Sequence, residues 1–450
     1  MIDAPFGSSR PLVGERARAW AVLLVLIPFA ARAEEKKKVN GPAIELGKRL
    51  FGDNRFTNPA CNTPASCDSC HRPESARGGR RAYSDSQRYS LIPTHVGGSR
   101  KLSTLRNTPG LMDLGSHVRF NHDGRTGSLE ETVLAEVTSV HYGWSPRERE
   151  DALDEIHFVL LNDEGQDPTL EGTYVEQFRR AYTIDLNAMR RENVVGRMVK
   201  CLADYVRALR SPRTSAYDAF LAMNRLPSGP GEGESPQAYT DSLLVRVTRL
   251  EERRALKLHP DFSAQAYAGF KIFMRRSGET GVGNCAACHT PPRFSDGGFH
   301  NTGVAQMEFD ATQGSGAFLQ LAVPESPETI RPVEKFGPKI EKGQQVHADL
   351  GYWNYVRPDP SAADGSFLTR ALGAFKTPSL RNLVYSDPYM HNGLYRTLED
   401  AVSQKVRASG FARSAALRSA AAPLLKMRMT TADVAPVTAF LRALNDLPAE

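Results

Sequence analysis

The feature that most constrains this chain is a five-residue motif that occurs twice. Cys67-Asp68-Ser69-Cys70-His71 and Cys285-Ala286-Ala287-Cys288-His289 share the pattern Cys-x-x-Cys-His. On a helical turn, cysteines at i and i+3 lie on one face, so both thiols point the same way. The histidine that follows is carried beneath them. This is the attachment pattern of a c-type haem, in which the thiols take the two vinyl groups and the histidine ligates the iron. Zinc ribbons place their Cys pairs far closer together than these. A thioredoxin-like pair needs neither the histidine nor a second copy. The sequence therefore predicts two covalently bound haem c groups, held by Cys67, Cys70 and His71 and by Cys285, Cys288 and His289. Cys61 and Cys201 remain, and either a disulfide or two unpaired thiols fits them.

Such haems are attached outside the bacterial cytoplasm, and the N-terminus agrees. Arg10, Arg16 and Arg18 precede an apolar run from Ala19 to Ala30, and Ala31-Arg32-Ala33 offers a small-x-small cleavage site. The run is too short for a bilayer, which takes about 20 residues. The expected product is a periplasmic protein cleaved after Ala33, without stable membrane insertion. The formal charge of +6 on 450 residues is not gathered into a basic block, so nucleic acid is not an expected partner.

The chain also repeats itself around the two motifs. Thr108–Val133 aligns without a gap on Thr377–Val402, sharing Pro109/Pro378, His122/His391, Gly124/Gly393, Leu129/Leu398 and Glu130/Glu399 among nine identities in 26 positions. Upstream of each motif runs a matching stripe, Gly47-Leu50-Phe51 and Gly269-Ile272-Phe273. Ser128-Leu129-Glu130-Glu131 and Thr397-Leu398-Glu399-Asp400 read as helix-opening caps. Asn193–Leu209 reads as an amphipathic helix, and Val434, Val437, Phe440, Leu441 and Leu444 as the face of a closing helix. Period-2 alternation is scarce. The expected fold is mainly α, with long irregular loops and two duplicated haem domains at 34–223 and 243–450. The linker, 224–242, is rich in Gly, Pro and Ser. The stretch Gly303–Gly373 reads as mostly irregular and as wrapping the second haem.

In order and together, these motifs resemble the bacterial dihaem cytochrome c peroxidases and MauG-like enzymes. The likeness runs through Leu46–Phe51, Cys67–His71, Arg106-Asn107-Thr108-Pro109, Asp123-Gly124-Arg125, Ser211-Pro212, Cys285–His289, Phe299–Gly303, Phe375–Asn382 and Pro388–Gly393. It implies two cytochrome-c-like helical domains, one haem relaying electrons and the other activating an oxidant. The N-terminal haem would be the peroxide site. The implied function is a dihaem oxidoreductase that reacts with hydrogen peroxide. Its partner would be a small cytochrome c or copper-protein electron donor, or a protein substrate oxidised as by MauG. A homodimer is compatible with this reading. A non-catalytic dihaem electron-transfer cytochrome is the competing function class.

The resemblance also suggests where the active groups stand. His95, on the Gly-rich loop Thr94–Gly98, lies where family peroxidases carry a displaceable distal histidine; a solvated loop histidine is the other reading. Thr132 replaces the family's Gln, His141 lies near the place of its acid, and His122 replaces its Trp. As repeat partners, His122 and His391 suggest a shared structural duty, and His300 and Asn301 suggest backbone fixing. Asn107, Ser386 and Pro388 align with positions around an interdomain calcium, a hard cation suited to carbonyl oxygens. The family's sixth ligand to the C-terminal haem, Met or Tyr, falls here on Lys405, with Met427 and Met429 as alternatives and a solvated helix lysine as the bland reading. Subtracting the repeat offset from Lys405 lands on Glu136. The candidate catalytic set is thus Glu136, His141, Thr132 and His95, with Glu136 the expected main base.

Overall fold

The computed structural model describes residues 41–72, 91–93, 102–104, 106–168, 170–321, 348–355 and 370–446. The export segment, His95 and much of Gly303–Gly373 lie outside the described residues.

In the first half, α1 (Gly41–Gly52) leads to a single turn, α2 (Cys67–Cys70). Then come α3 (Leu129–Val137), α4 (Arg149–Leu161), α5 (Tyr174–Tyr182) and α6 (Arg191–Ala208). Leu46, Leu50 and Phe51 recur at helical spacing in α1, and that face is buried. α1 packs against α6. At the crossing, a Cβ on Gly47 would stand 2.5 Å from the Tyr205 Cβ and 3.0 Å from the Cys201 carbonyl oxygen, so only glycine permits the approach.

The second half repeats this device. α7 (Ala216–Met223), α8 (Pro236–Glu252) and α9 (Ala264–Met274) precede a 3-10 turn at Cys285–Ala287. α10 (Val304–Gln313), α11 (Leu398–Arg413), α12 (Ala422–Lys426) and α13 (Val434–Arg442) follow. α9 packs against α13, where a Cβ on Gly269 would overlap the carbonyl of Pro436. Repeat partners Gly47 and Gly269 therefore do the same work: each brings the helix before its Cys-x-x-Cys-His motif onto the last helix of its core.

Both repeat caps are present. Ser128 Oγ accepts the Glu131 amide at 3.0 Å, and Thr397 Oγ1 accepts the Asp400 amide at 3.1 Å. The Glu131 carboxylate reaches back to the Gly127 amide, one residue short of a reciprocal capping box. Among the described residues the strands form two short antiparallel ladders. β1 (Leu91–Ile92) pairs with β2 (Leu102–Ser103), and β3 (Phe299–His300) with β4 (Phe375–Lys376). The chain is mainly helical.

Two elements differ from the sequence reading. α10 lies inside the stretch read as irregular, because Val304, Ala305 and Phe309 bury one helical face after Gly303 turns the chain at φ 81°. α8 begins inside the Gly/Pro-rich stretch, where Ser235 caps it and Pro236 takes the first turn, a position that needs no amide hydrogen. The second core also draws in α7, upstream of that stretch. Tyr217 and Phe220 pack with Phe262, Phe270 and Phe440, all essentially fully buried.

Segments of the two repeats meet at Asn107. Its amide donates to the His391 carbonyl at 2.7 Å, and its own carbonyl takes the His122 Nε2 hydrogen at 2.9 Å. The adjacent Arg106 binds Asp123, and its guanidinium also grips both oxygens of Asp349 at 2.7 and 2.8 Å. Partly desolvated ion pairs of this kind hold position because breaking one strands a charge in a poor solvent.

Candidate functional site

The two Cys-x-x-Cys-His motifs form single turns, as their spacing requires. The His71 amide bonds the Cys67 carbonyl, and the His289 amide the Cys285 carbonyl, each at 2.8 Å. In the second site His289 Nδ1 lies 2.9 Å from the Phe294 carbonyl. A carbonyl can only accept, so Nδ1 carries the hydrogen and Nε2 keeps its lone pair for a metal. Burial is the main influence on this ring and pushes its pKa down to about 4. Burial likewise pushes the Cys67 and Cys285 thiols up to about 12. Apolar walls, neutral thiols and an oriented imidazole lone pair fit a haem.

The repeat sends matching helices toward the two turns. Beside the first, the Tyr142 hydroxyl lies 3.1 Å from Cys67 Sγ, and the Glu136 charge is felt by both groups. The Glu136 carboxylate is engaged on both oxygens: Arg125 Nη2 donates to Oε1 at 2.8 Å, and His141 Nδ1 bonds Oε2. Burial alone would raise this carboxyl, but His141 and then Arg125 outweigh it and hold it at about 2. A carboxylate so held is a poor proton acceptor and a good orienter. Thr132 spends its hydroxyl elsewhere, donating to the Ser128 carbonyl at 2.8 Å and lying 2.6 Å from Thr126 Oγ1. Its helical spacing from Glu136 is real, but its chemistry serves the helix start.

Beside the second turn stands Lys405. It is part-buried rather than a solvated helix lysine: its Nζ donates to Thr302 Oγ1 at 2.8 Å and lies 3.7 Å from Met390 Sδ. Burial pushes the amine down to about 8, against the opposing influence of Cys288 and Cys285. Met427 and Met429 lie within the second apolar core.

The other histidines divide by role. His122 is buried on the Asn107 carbonyl, and burial holds it at about 4. His391 stacks on Phe375 with ring centres 3.4 Å apart. His300 Nε2 bonds Asp296 Oδ2 at 2.7 Å, next to Cys288, so the trio Cys288, Asp296 and His300 belongs to the second turn. Asn301 does fix backbone: its amide binds the carbonyls of Leu372 and Arg418 and the amide of Gly303. Around the suggested cation position, Asn107 Nδ2 donates to the Pro388 carbonyl at 2.5 Å, while Asn107 Oδ1 is buried without a partner among the described residues. The Ser386 hydroxyl is turned to the Leu383 carbonyl at 3.2 Å. Cys61 and Cys201 are both free; Cys61 lies against Gly143, and Cys201 is buried against the Ala43 carbonyl.

The model of the di-haem cytochrome c peroxidase family matches residues 42–225. The protein is 26% identical to the cytochrome-c peroxidase IdrP2 of Denitromonas iodatirespirans, over 92% of this chain and 84% of that one. The chain is thus similar to the dihaem cytochrome c peroxidases and MauG-like proteins, most directly over its first half. It is also 23% identical to the methylamine utilization protein MauG of Methylophilus methylotrophus, over 89% of this chain and 81% of that one. Its fold is similar to that of the diheme peroxidase BthA from Burkholderia thailandensis, with a TM-score of 0.53, 18% identity, and 90% and 86% of the two chains covered. Against this family background, Arg125, Tyr142, Thr302 and Met390 are the site residues that sequence reasoning missed. Arg125, Thr302 and Met390 carried a signal, since they lie in the segments Asp123–Arg125, Phe299–Gly303 and Pro388–Gly393.

Proposed function

We propose that the protein is a periplasmic dihaem c-type oxidoreductase that reacts with hydrogen peroxide at its N-terminal haem. Cys67, Cys70 and His71 would hold that haem, and Cys285, Cys288 and His289 the other. The bound haems supply redox-active iron and a store for electrons. Reduction of one peroxide molecule to two waters consumes two electrons and two protons. The electrons come from a small cytochrome c or copper protein, or from a protein substrate oxidised in the MauG manner.

What carries the reading is the Arg125–Glu136–His141 cluster beside Cys67. Cleaving the O–O bond moves a proton from one peroxide oxygen to the other. With Glu136 ionised and bonded to Nδ1, His141 is fixed in the tautomer whose Nε2 can accept that proton and return it. Glu136 thus orients, and His141 exchanges the proton. Two neutral oxygens, Asn107 Oδ1 and the Pro388 carbonyl, would bind calcium at the junction of the repeats once the Asn107 amide turns over. Export removes Met1–Ala33. Among the described residues, no helix is long and apolar enough to cross a membrane.

Peroxide titration of the ferric protein tests the proposal. A high-spin signal consumed by stoichiometric peroxide is the expected result. Two six-coordinate haems inert to peroxide would instead identify a non-catalytic electron carrier.

A further inference from the structure

We infer that the outer face of α8 is a docking surface for a small acidic redox protein that exchanges electrons with this chain. The inference rests on the oxidoreductase reading above and adds where the partner sits and what charge it carries.

The face follows from helical period. Tyr239, Leu243 and Val247 bury one side of α8 in the second core. Arg246, Arg249 and Arg253, three and four residues apart, form an exposed stripe beside it. Among the described residues, none of these three guanidiniums has an ion pair or a hydrogen bond. The neighbouring acids are spent on other cations. Asp241 takes Arg276 at 3.0 Å, and Glu251 takes Lys271 at 2.8 Å. Glu252, three residues on from Arg249, bonds neither it nor Arg253. On α6, by contrast, Arg191, Lys200 and Arg207 each have a carboxylate within the chain.

A guanidinium offers a planar fork that matches a carboxylate, and here no carboxylate of the chain fills it. Three such cations on about two turns of helix create a local positive field. An acidic protein surface is drawn to that field and aligned by it. An anionic bilayer fits less well. A helix that lies on a membrane sinks an apolar face into the headgroup layer. The apolar face of α8 is already buried in the core, and of its large apolar residues only Val245, at 48%, is exposed. α8 packs on α9, and α9 leads into the turn at Cys285. A partner docked here therefore sits on the half of the chain that carries the second Cys-x-x-Cys-His motif.

The experiment uses the holoprotein and its triple variant Arg246→Glu, Arg249→Glu, Arg253→Glu. A control variant makes the same charge change at exposed cations of the first half, Lys48→Glu, Arg190→Glu, Arg197→Glu. The probes are a small cytochrome c of net negative charge, one of net positive charge, and phosphatidylglycerol vesicles. Binding is measured by calorimetry, and electron transfer from each reduced cytochrome by stopped flow, at low and at physiological salt. The holoprotein should bind the negative cytochrome, with an affinity that falls as salt rises. The α8 variant should bind it ~10-fold or more weakly than the control does, and should lose no affinity for the positive cytochrome. Equal affinity of the two variants for the negative cytochrome would overturn the inference and leave the oxidoreductase reading intact. Vesicle binding that the α8 variant loses, with neither cytochrome bound by the holoprotein, would also overturn it and assign the face to a membrane. Binding of the negative cytochrome without electron transfer, in a protein inert to peroxide, would overturn the oxidoreductase reading and the partner's redox role with it.

Discussion

His141 and Glu136 share a hydrogen bond across the end of one short helix, Nδ1 to Oε2, while Arg125 holds the other carboxylate oxygen at 2.8 Å. Under the proposed function, the carboxylate serves as the fixed anion that orients the ring, and the imidazole handles the proton. It reverses the ranking that the sequence suggests, in which Glu136 is the main base.

The first prediction follows from that relationship. His141→Ala should slow the reaction with peroxide by about 10²-fold or more, the usual scale for an acid–base group. Glu136→Gln should slow it less, because an amide oxygen can still orient Nδ1–H. Stopped-flow mixing of each variant with peroxide checks this; an unchanged second-order rate in His141→Ala removes the residue from the mechanism.

The same carboxylate gives a pH dependence of stability. Its folded pKa, about 2, lies below its ordinary value of 4.5. A depressed acid stabilises the fold above its unfolded pKa and loses that contribution as pH falls toward the folded value. Wild type should therefore unfold at a higher temperature than Glu136→Gln near neutral pH, and the gap should close between pH 4.5 and pH 2. Thermal unfolding of both proteins across that range measures it. A gap that stays constant with pH would contradict the ion-pair account.

Glycine-mediated helix crossings should be intolerant of a single methyl group. Gly269→Ala drives a Cβ into the Pro436 carbonyl, which as backbone has little room to give, and Gly47→Ala forces α1 off Tyr205. Overpacking of this kind costs about 1–3 kcal/mol. Gly196→Ala, in the middle of α6 with nothing within 4 Å of the added atom, should instead be neutral or stabilising by up to ~1 kcal/mol. Denaturant unfolding of the three variants gives the comparison.

Arg106 is the cation that two carboxylates share at the junction of the repeats. The Asp123 side chain is fully buried and that of Asp349 is 16% exposed. Arg106→Ala should destabilise the protein by about 3–5 kcal/mol, because two carboxylates are then left poorly solvated without a cation. Replacing both acids along with it, as Asp123→Asn and Asp349→Asn, should recover part of the loss. Chemical denaturation of the single and triple variants separates the charge effect from lost packing.

Much of this architecture is local and therefore legible in one dimension. Cysteines three apart followed by histidine need only one turn to meet a haem, and that turn forms at both motifs. Ser128 and Thr397 cap their helices through bonds to residues three positions on. The closing helix follows from the spacing of Val434, Val437, Phe440 and Leu441. Even the matched roles of Gly47 and Gly269 are visible as a repeat, although the reason for them is not. α10 and the start of α8 were hidden because glycine and proline, read as breakers, there serve as a helix entry and a first-turn residue.

By itself, the sequence determined the two Cys-x-x-Cys-His turns, the internal repeat and the helices that frame them, because each depends on covalent spacing or on helical period. Only the tertiary structure decided what the facing residues are fit to do. Arg125 reaches Glu136 across the start of a helix, Tyr142 meets Cys67 at a separation of 75 positions, and Thr302 meets Lys405 at 103. Whether a carboxylate is a base or an anchor, and whether a lysine is solvated or part-buried, depends on packing and on partners supplied by distant segments. Those are properties of the packed chain, and no local pattern encodes them.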